Sequence, residues 1–121
     1  MKAFAVVNKG LEDIAALEIK ELAIASEIEQ KEGVVVFSVK DIKSLCILAY
    51  RAQSVSRVCV LVSEFACTKG LDSAVNNMKK KLSFNLSDWI SDDDSFTVQC
   101  TRFGEHDFTS HDFALEAIKL I

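Results

Sequence analysis

The sequence predicts an α+β fold, and three observations support this prediction. Short apolar or β-branched runs alternate with segments whose apolar residues recur every three or four positions, which are the spacings of strands and helices. Over about the first 64 residues the order of these segments is β-α-β-β-α-β. Half of the 121 residues are apolar and 26% are charged, a mixture typical of globular domains.

The first half of the chain supplies the six elements of this pattern. Their order is that of the split-βαβ or ferredoxin-like arrangement, in which two helices cover one face of a four-stranded antiparallel sheet. Proline is absent, so the turns between elements depend on Gly, Asn, Asp and Ser. The predicted elements are a buried strand Ala3–Val7, a helix Leu11–Ala25, an edge strand Glu27–Gln30, a strand Val34–Val39, a helix capped by Asp41 and a central strand Arg57–Phe65.

Apolar spacing also predicts the buried face of each helix. The first helix is expected to bury Leu11, Ile14, Ala15, Glu18 and Leu22. The second is expected to bury Ile42, Leu45, Cys46 and Ala49.

The second half predicts two further helices and one strand. The helix Gly70–Leu82 carries the buried stripe Leu71, Ala74, Val75, Met78 and Leu82. A strand is predicted over Ser95–Arg102, and a final helix near Ser110, where Thr109 and Asp112 have the spacing of a capping box. Two faces of the final helix are candidates for the core: Phe113, Ala117 and Leu120, or Leu115, Ile118 and Ile121.

Composition limits the setting of the protein. No apolar run approaches the roughly 18 residues of a membrane helix, and no small-residue cleavage site follows the N-terminus, so we expect a cytoplasmic protein without a signal peptide. Four cysteines without C-x-x-C spacing predict buried, reduced thiols: Cys46, Cys59, Cys67 and Cys100. The final apolar segment lacks a helix stop signal, from which we expect a piece of a longer protein.

Signatures of catalysis are missing from the sequence. It contains no phosphate-binding loop, no dinucleotide-binding glycine motif and no G-x-S-x-G elbow. His106 and His111 are five residues apart rather than four, which disfavours a metal pair on one helix face. A Cys100–His106 catalytic pair is possible on paper, but a thiol on a strand beside a core is more often inert. We therefore predict no catalytic residue and no metal site.

Binding groups are instead concentrated near the start of the final helix. Arg102 can donate a bidentate pair of hydrogen bonds to phosphate, His106, Thr109 and Ser110 add donors, and Phe108 can stack on a base. Helix N-terminal N–H groups also favour anions. The alternative is structural: Arg102 pairs with a nearby carboxylate, Phe108 lies in a core, and the hydroxyls cap the helix.

Charge gives a second candidate surface. Lys79, Lys80 and Lys81 form either a phosphate-contacting surface or an ordinary solvated helix face. The net charge of −4 argues against a general nucleic-acid binder but leaves room for such a local basic face.

Two stretches of the chain resemble a known family. GLEDIAALEIKEL, from Gly10 to Leu22, followed by VVVFSV and SRVCVLVSEF, resembles the N-terminal ferredoxin-like domain that precedes a THUMP domain. FTVQCTRFGEHDFTSHDF, from Phe96 to Phe113, resembles the R-x-G-x-H-x-F-x-S-x-D stretch inside THUMP domains. The motif positions here are Arg102, Gly104, His106, Phe108, Ser110 and Asp112.

The resemblance implies a division into residues 1–65, a ferredoxin-like domain, and residues 66–121, the first part of an α/β THUMP domain. It also implies an RNA-binding module of an RNA-modifying enzyme, most similar to AdoMet-dependent guanine-N2 methyltransferases acting on tRNA or rRNA. The catalytic and S-adenosyl-L-methionine-binding domain would lie downstream, so this chain would hold no cofactor. A THUMP module of a thiouridine synthase and a ferredoxin-like protein-interaction domain without RNA binding remain the alternatives.

The resemblance also assigns roles to residues. The implied RNA partner is the acceptor end of tRNA, or rRNA, and a membrane role is not implied. By this resemblance the best RNA-contact candidates are Arg102, His106, Thr109 and Ser110, and the chemistry of the side chains adds Phe108, Lys79 and Lys80. Gly104 is expected to permit a turn and Asp112 to satisfy the helix N-terminus.

Overall fold

The computed structural model describes residues 1–67, 69–81, 86–101 and 109–120. The chain divides into two compact units, Met1–Val62 and Ser63–Ile121. Whether these units are the ferredoxin-like and THUMP domains expected from the sequence stays a prediction.

The first unit confirms the predicted order of elements. Its four strands form one antiparallel sheet in the order β2-β3-β1-β4, with both helices on one face. The elements are β1 (Lys2–Val6), α1 (Glu12–Ala23), β2 (Ser26–Lys31), β3 (Val34–Ser38), α2 (Ile42–Arg51) and β4 (Arg57–Val60).

The core of this unit lies between the sheet and the two helices. In the central pair of strands, small residues stand opposite large ones: Ala3 pairs with Phe37, and Ala5 pairs with Val35. Because alanines are small, this alternation leaves room for the helices to approach the sheet. The largest fully buried side chains are Phe37, Ile19, Leu48 and Val35.

The buried face of α1 differs from the predicted one. Leu11 and Ile14 were expected in the core, but Ile14 is 56% exposed and Leu11 also lies at the surface, whereas Ala15 is buried as predicted. Helix α1 has two apolar stripes, and the stripe with the smaller residues packs on the sheet because alanines permit a closer approach. The buried residues are Ala15, Ala16, Ile19 and Ala23.

Helix α2 begins as predicted but buries a narrower face. The carboxylate of Asp41 accepts a hydrogen bond from Ser44 N at 3.0 Å, which caps the helix. Leu45 and Leu48 are buried. The prediction that Ile42, Cys46 and Ala49 are buried is wrong, because all three are exposed.

Strand β4 is shorter than predicted and lies at an edge. It covers Arg57–Val60 rather than Arg57–Phe65, and among the described strands it pairs with β1 alone. The continuous apolar run suggested a central strand, but the sheet order gives both central places to β1 and β3. The prediction of β2 as an edge strand is confirmed.

Two glutamates of α1 fasten neighbouring connections. Glu12 Oε2 accepts from Gly10 N at 2.8 Å, and Glu12 Oε1 accepts from Gly33 N at 2.9 Å in the β2–β3 turn. Glu18 Oε1 accepts from Gln53 N, Ser54 N and Ser54 Oγ at 2.7–3.0 Å. These bonds join α1 to the turn between β2 and β3 and to the connection between α2 and β4.

The described part of the second unit contains two helices and a short 3-10 turn at Leu86–Asp88. Helix α3 spans Leu71–Lys81, and α4 spans Ser110–Leu120. The predicted stripe of α3 is confirmed at its centre, where Ala74, Val75 and Met78 are buried.

Helix α4 packs through one of its two candidate faces. Ala117 is buried and Phe113 is half-buried, whereas Leu115 and Ile118 are exposed. The ring of Phe113 stacks on that of Phe65 with centroids 6.4 Å apart. The first of the two predicted faces therefore supplies the packing.

The predicted strand over Ser95–Arg102 is wrong in its described part. Residues 95–101 form neither helix nor strand. A strand is stable only when a neighbour pairs with its backbone, and no other strand occurs among the described residues of this unit. Among the helices that the structure describes, none is long and apolar enough to cross a membrane.

Candidate nucleic-acid interface

The structure locates part of the predicted RNA-binding set. Thr109 and Ser110 lie at the N-terminus of α4, and Lys79 and Lys80 lie in the last turn of α3. The remaining candidates, Arg102, His106 and Phe108, fall outside the described residues, as does Gly104 of the predicted turn.

A reciprocal capping box begins α4, as the sequence predicts. Asp112 N donates to Thr109 Oγ1 at 3.1 Å, and Thr109 N donates to the Asp112 carboxylate, also at 3.1 Å. Thr109 is exposed and Ser110 is half-buried. The hydroxyl of Thr109 accepts from Asp112 N, and the Thr109 side chain also hydrogen-bonds the Asp112 carboxylate, so this hydroxyl serves the cap in both directions.

The Asp112 carboxylate affects what the start of α4 can bind. Hydrogen bonds from Thr109 hold the pKa of Asp112 below its usual value, so the group is charged at neutral pH. Its charge already compensates the positive end of the helix dipole. This weakens the expectation that the helix N-terminus alone attracts a phosphate, and any attraction there must come from nearby cations.

Exposed lysines form the described cationic surface of the second unit. Lys79, Lys80 and Lys81 all lie in the last turn of α3 and are all exposed. At this position they also complement the negative end of the helix dipole. The helix end itself is fixed, because Ser63 Oγ donates to the carbonyl of Lys81 at 2.9 Å.

One short segment ties this lysine cluster to the start of α4. Ser63 bonds to the end of α3, and Phe65, two residues later, stacks on Phe113 in the first turn of α4. Asn77 Nδ2 also donates to the carbonyl of Ala66 at 2.9 Å. Two residues span at most about 7 Å, so one short segment contacts both the C-terminal end of α3 and the first turn of α4. No pattern in the residues of this segment marks it in the sequence as a connection between the two helices.

Acidic residues outnumber basic ones in the second unit. From Ser63 to Ile121 there are ten Asp or Glu residues and six Lys or Arg residues. Long-range attraction of RNA to this unit as a whole is therefore not expected. An RNA contact here must be local and must rely on the lysine cluster and on Arg102.

The cysteines do not form a recognisable reactive site. No disulfide joins any of the four described cysteines; Cys46 and Cys67 are exposed, so the prediction of buried thiols is wrong for these two. Burial raises the pKa of the half-buried Cys59, which disfavours the reactive thiolate. Within the described ranges, no group of three or more His, Cys, Asp or Glu side chains is placed to hold a metal ion.

Sequence comparisons relate this chain to enzymes that modify tRNA. No protein-family model matches it. A tRNA (guanine(6)-N2)-methyltransferase of Archaeoglobus fulgidus is 30% identical over 94% of the chain, and one of Methanocaldococcus jannaschii is 27% identical over 93%. The chain spans 28–29% of the length of these relatives. Over nearly its whole length, the chain is thus a distant homologue of tRNA (guanine(6)-N2)-methyltransferases.

Proposed function

We propose that this chain is an RNA-binding module of an RNA-modifying enzyme of the tRNA guanine-N2 methyltransferase type. The observation that carries the proposal is the similarity to two archaeal tRNA methyltransferases over 93–94% of the chain. The similarity includes both units, whereas it covers less than a third of each relative. The chain is therefore proposed as a module that accompanies catalysis.

The second unit is the proposed RNA-contacting part. Lys79 and Lys80 supply exposed ammonium groups for the phosphate backbone, and the hydroxyls of Thr109 and Ser110 are proposed as further polar contacts at the start of α4. Arg102, one residue beyond the described segment that ends at residue 101, is proposed to add a bidentate phosphate contact. The sequence resemblance to THUMP domains adds His106 and Phe108 to this set.

The mechanism follows from the separation of binding and catalysis. The module holds a structural feature of the RNA, for which the THUMP resemblance suggests the acceptor end of tRNA, and a linked catalytic domain then reaches a fixed nucleotide. Positioning of this kind converts an encounter between two molecules into an effectively intramolecular step. S-adenosyl-L-methionine would be bound by that other domain, and residues of this chain are assigned no part in methyl transfer.

The proposal is tested by fluorescence anisotropy of labelled tRNA titrated with the chain at about 50 and 200 mM salt. Each lysine that contacts a phosphate contributes about one unit to the slope of log affinity against log salt. Lys79→Ala combined with Lys80→Ala is expected to weaken binding at the lower salt and reduce this slope by about two units. Removing the single-stranded 3′ end of the tRNA is expected to weaken binding by the unchanged chain.

A matched control separates a specific surface from total charge. Lys2→Ala combined with Lys40→Ala removes the same charge from exposed positions of the first unit and is expected to leave affinity nearly unchanged. Equal losses in the two double variants would reject the lysine cluster as the contact. An affinity that does not change with salt concentration, or no binding at chain concentrations up to about 50 µM, would reject the RNA-binding proposal.

A further inference from the structure

Helix α3 exposes one asparagine whose amide the fold does not use. Asn76 and the buried Met78 are two positions apart, so their side chains point about 160° apart around the helix, and Asn76 is exposed. Within the described residues, the Asn76 amide makes no hydrogen bond. Both its donor and its acceptor are therefore available to a ligand.

The neighbouring asparagine has a structural role that Asn76 lacks. Asn77 is half-buried, and its Nδ2 donates to the carbonyl of Ala66 at 2.9 Å. Asparagine is a poorer helix former than alanine, because its side chain competes for backbone hydrogen bonds in other conformations. The fold therefore gives a reason for Asn77 and no reason for the exposed Asn76.

Lys79 and Lys80 lie next to Asn76 on the surface of α3. Asn76 is three positions before Lys79 and four before Lys80, and at these spacings Cβ atoms on a helix are about 5–6 Å apart. The Cα–Cβ bonds of a helix tilt toward its N-terminus, so both lysine side chains begin over the turn that holds Asn76. Neither lysine forms an ion pair within the described part of the chain. A phosphate bound by either lysine would bring the rest of its nucleotide within reach of the Asn76 amide.

The chemistry of this amide suits a part of the nucleotide other than phosphate. Phosphate oxygens only accept hydrogen bonds, so the Asn76 Oδ1 would find no donor there. Asp72, four positions before Asn76 and the only acidic residue of α3, would also repel a phosphate on that side. The ribose 2′-hydroxyl and the edge of an adenine both donate and accept, and an amide complements each of them.

We propose that Asn76 is an uncharged RNA-contact residue that hydrogen-bonds a ribose 2′-hydroxyl or an adenine edge beside a phosphate held by Lys79 or Lys80. This inference rests on the proposed RNA-binding function and adds to it a residue that reads the nucleotide. The two lysines supply affinity that depends on salt, whereas Asn76 supplies a contact that depends on the chemical identity of the nucleotide.

Fluorescence anisotropy of labelled tRNA with an Asn76→Ala chain tests the contact. Binding is expected to weaken about three- to tenfold, which is the effect of losing one hydrogen bond, and by the same factor at about 50 and 200 mM salt, because an uncharged contact releases no counterion. Alanine is the better helix former, so the midpoint of urea unfolding is not expected to fall. Gln30→Ala removes an exposed amide from β2 in the first unit and is expected to leave affinity unchanged.

Short single strands of adenylate, uridylate and deoxyadenylate distinguish the two nucleotide groups at the lower salt. If Asn76→Ala weakens binding of both RNA strands but not of deoxyadenylate, the contact is the 2′-hydroxyl. If it weakens binding of adenylate and deoxyadenylate but not of uridylate, the contact is the adenine edge. Equal losses on all three strands would place the amide on phosphate and overturn the proposal.

The result for tRNA separates this inference from the function on which it rests. Full affinity of Asn76→Ala, together with weaker binding by the chain that carries Lys79→Ala and Lys80→Ala, would overturn the role of Asn76 alone. Equal losses in Asn76→Ala and Gln30→Ala would also overturn it. No binding of tRNA by the unchanged chain would reject both the RNA-binding function and this contact.

Discussion

Substitutions of Thr109 can separate its role in capping α4 from a role in contacting RNA. The threonine hydroxyl accepts a hydrogen bond from Asp112 N. Asparagine and aspartate are both good N-cap residues, so Thr109→Asn and Thr109→Asp should preserve α4, whereas Thr109→Ala should lose about 1 kcal/mol of stability. The Asn and Asp variants have nearly the same size and differ chiefly in one negative charge.

That charge sets the expected effect on RNA binding. At about 6 Å from a phosphate and in an aqueous dielectric, a carboxylate repels it by about 0.7 kcal/mol, which is roughly threefold in affinity. We therefore expect Thr109→Asp to bind labelled tRNA about threefold more weakly than Thr109→Asn at low salt, with a smaller difference at high salt. Urea unfolding of both variants would report the capping contribution separately.

The comparison has a clear refuting result. If the Asp and Asn variants bind RNA equally while Thr109→Ala is destabilised, Thr109 serves only as a helix cap. The proposed contact at the start of α4 would then be wrong, and the lysine cluster would have to be considered by itself.

Three further predictions concern the first unit. Glu18→Ala should lower stability by about 1–2 kcal/mol in urea unfolding at low micromolar concentration, because Glu18 accepts three hydrogen bonds, whereas Glu21→Ala on the outer side should change it little. The hydrogen bond from Gly33 lowers the pKa of Glu12. Burial raises the pKa of Glu18, but hydrogen bonds from Ser54 outweigh this effect, so the pKa of Glu18 is also lowered. The stability that these two charged carboxylates contribute should therefore be complete above about pH 4.3, and it should be lost as the pH falls through their lower pKa values in the folded chain. A chain carrying both Glu12→Gln and Glu18→Gln should therefore lose less stability on acidification, measured as the fall in the urea concentration at the midpoint of unfolding. Leu48→Ala should cost about 2–5 kcal/mol by the same assay, since Leu48 is fully buried.

The sequence predicted the order of elements better than their packing. Alternation and helical spacing identified all six elements of the first unit because both patterns are local. The choice between the two apolar stripes of α1 is not local: it depends on the room left by Phe37 and its neighbours on the sheet. The edge position of β4 likewise depends on which strands lie beside β1. The residues of β4 do not encode that arrangement.

The same division applies to the candidate interface. The capping box of Thr109 and Asp112 was predictable, because two residues three positions apart determine it. The connection from the end of α3 to the start of α4 was not, because it results from contacts of Ser63 and Phe65 with residues 18 and 48 positions away. Sequence patterns of a few residues do not reveal contacts between residues that are so far apart along the chain.

The end of α1 has a consequence for engineering this chain. Ile24, which follows the helix, has φ 50° and ψ 43° and is 89% exposed. A β-branched residue in the left-handed region costs on the order of 1–2 kcal/mol, and glycine adopts that conformation freely. The exposed side chain contributes little packing in return. The connection to β2 is thus a position where a glycine would make the first unit more tolerant of destabilising substitutions elsewhere within it.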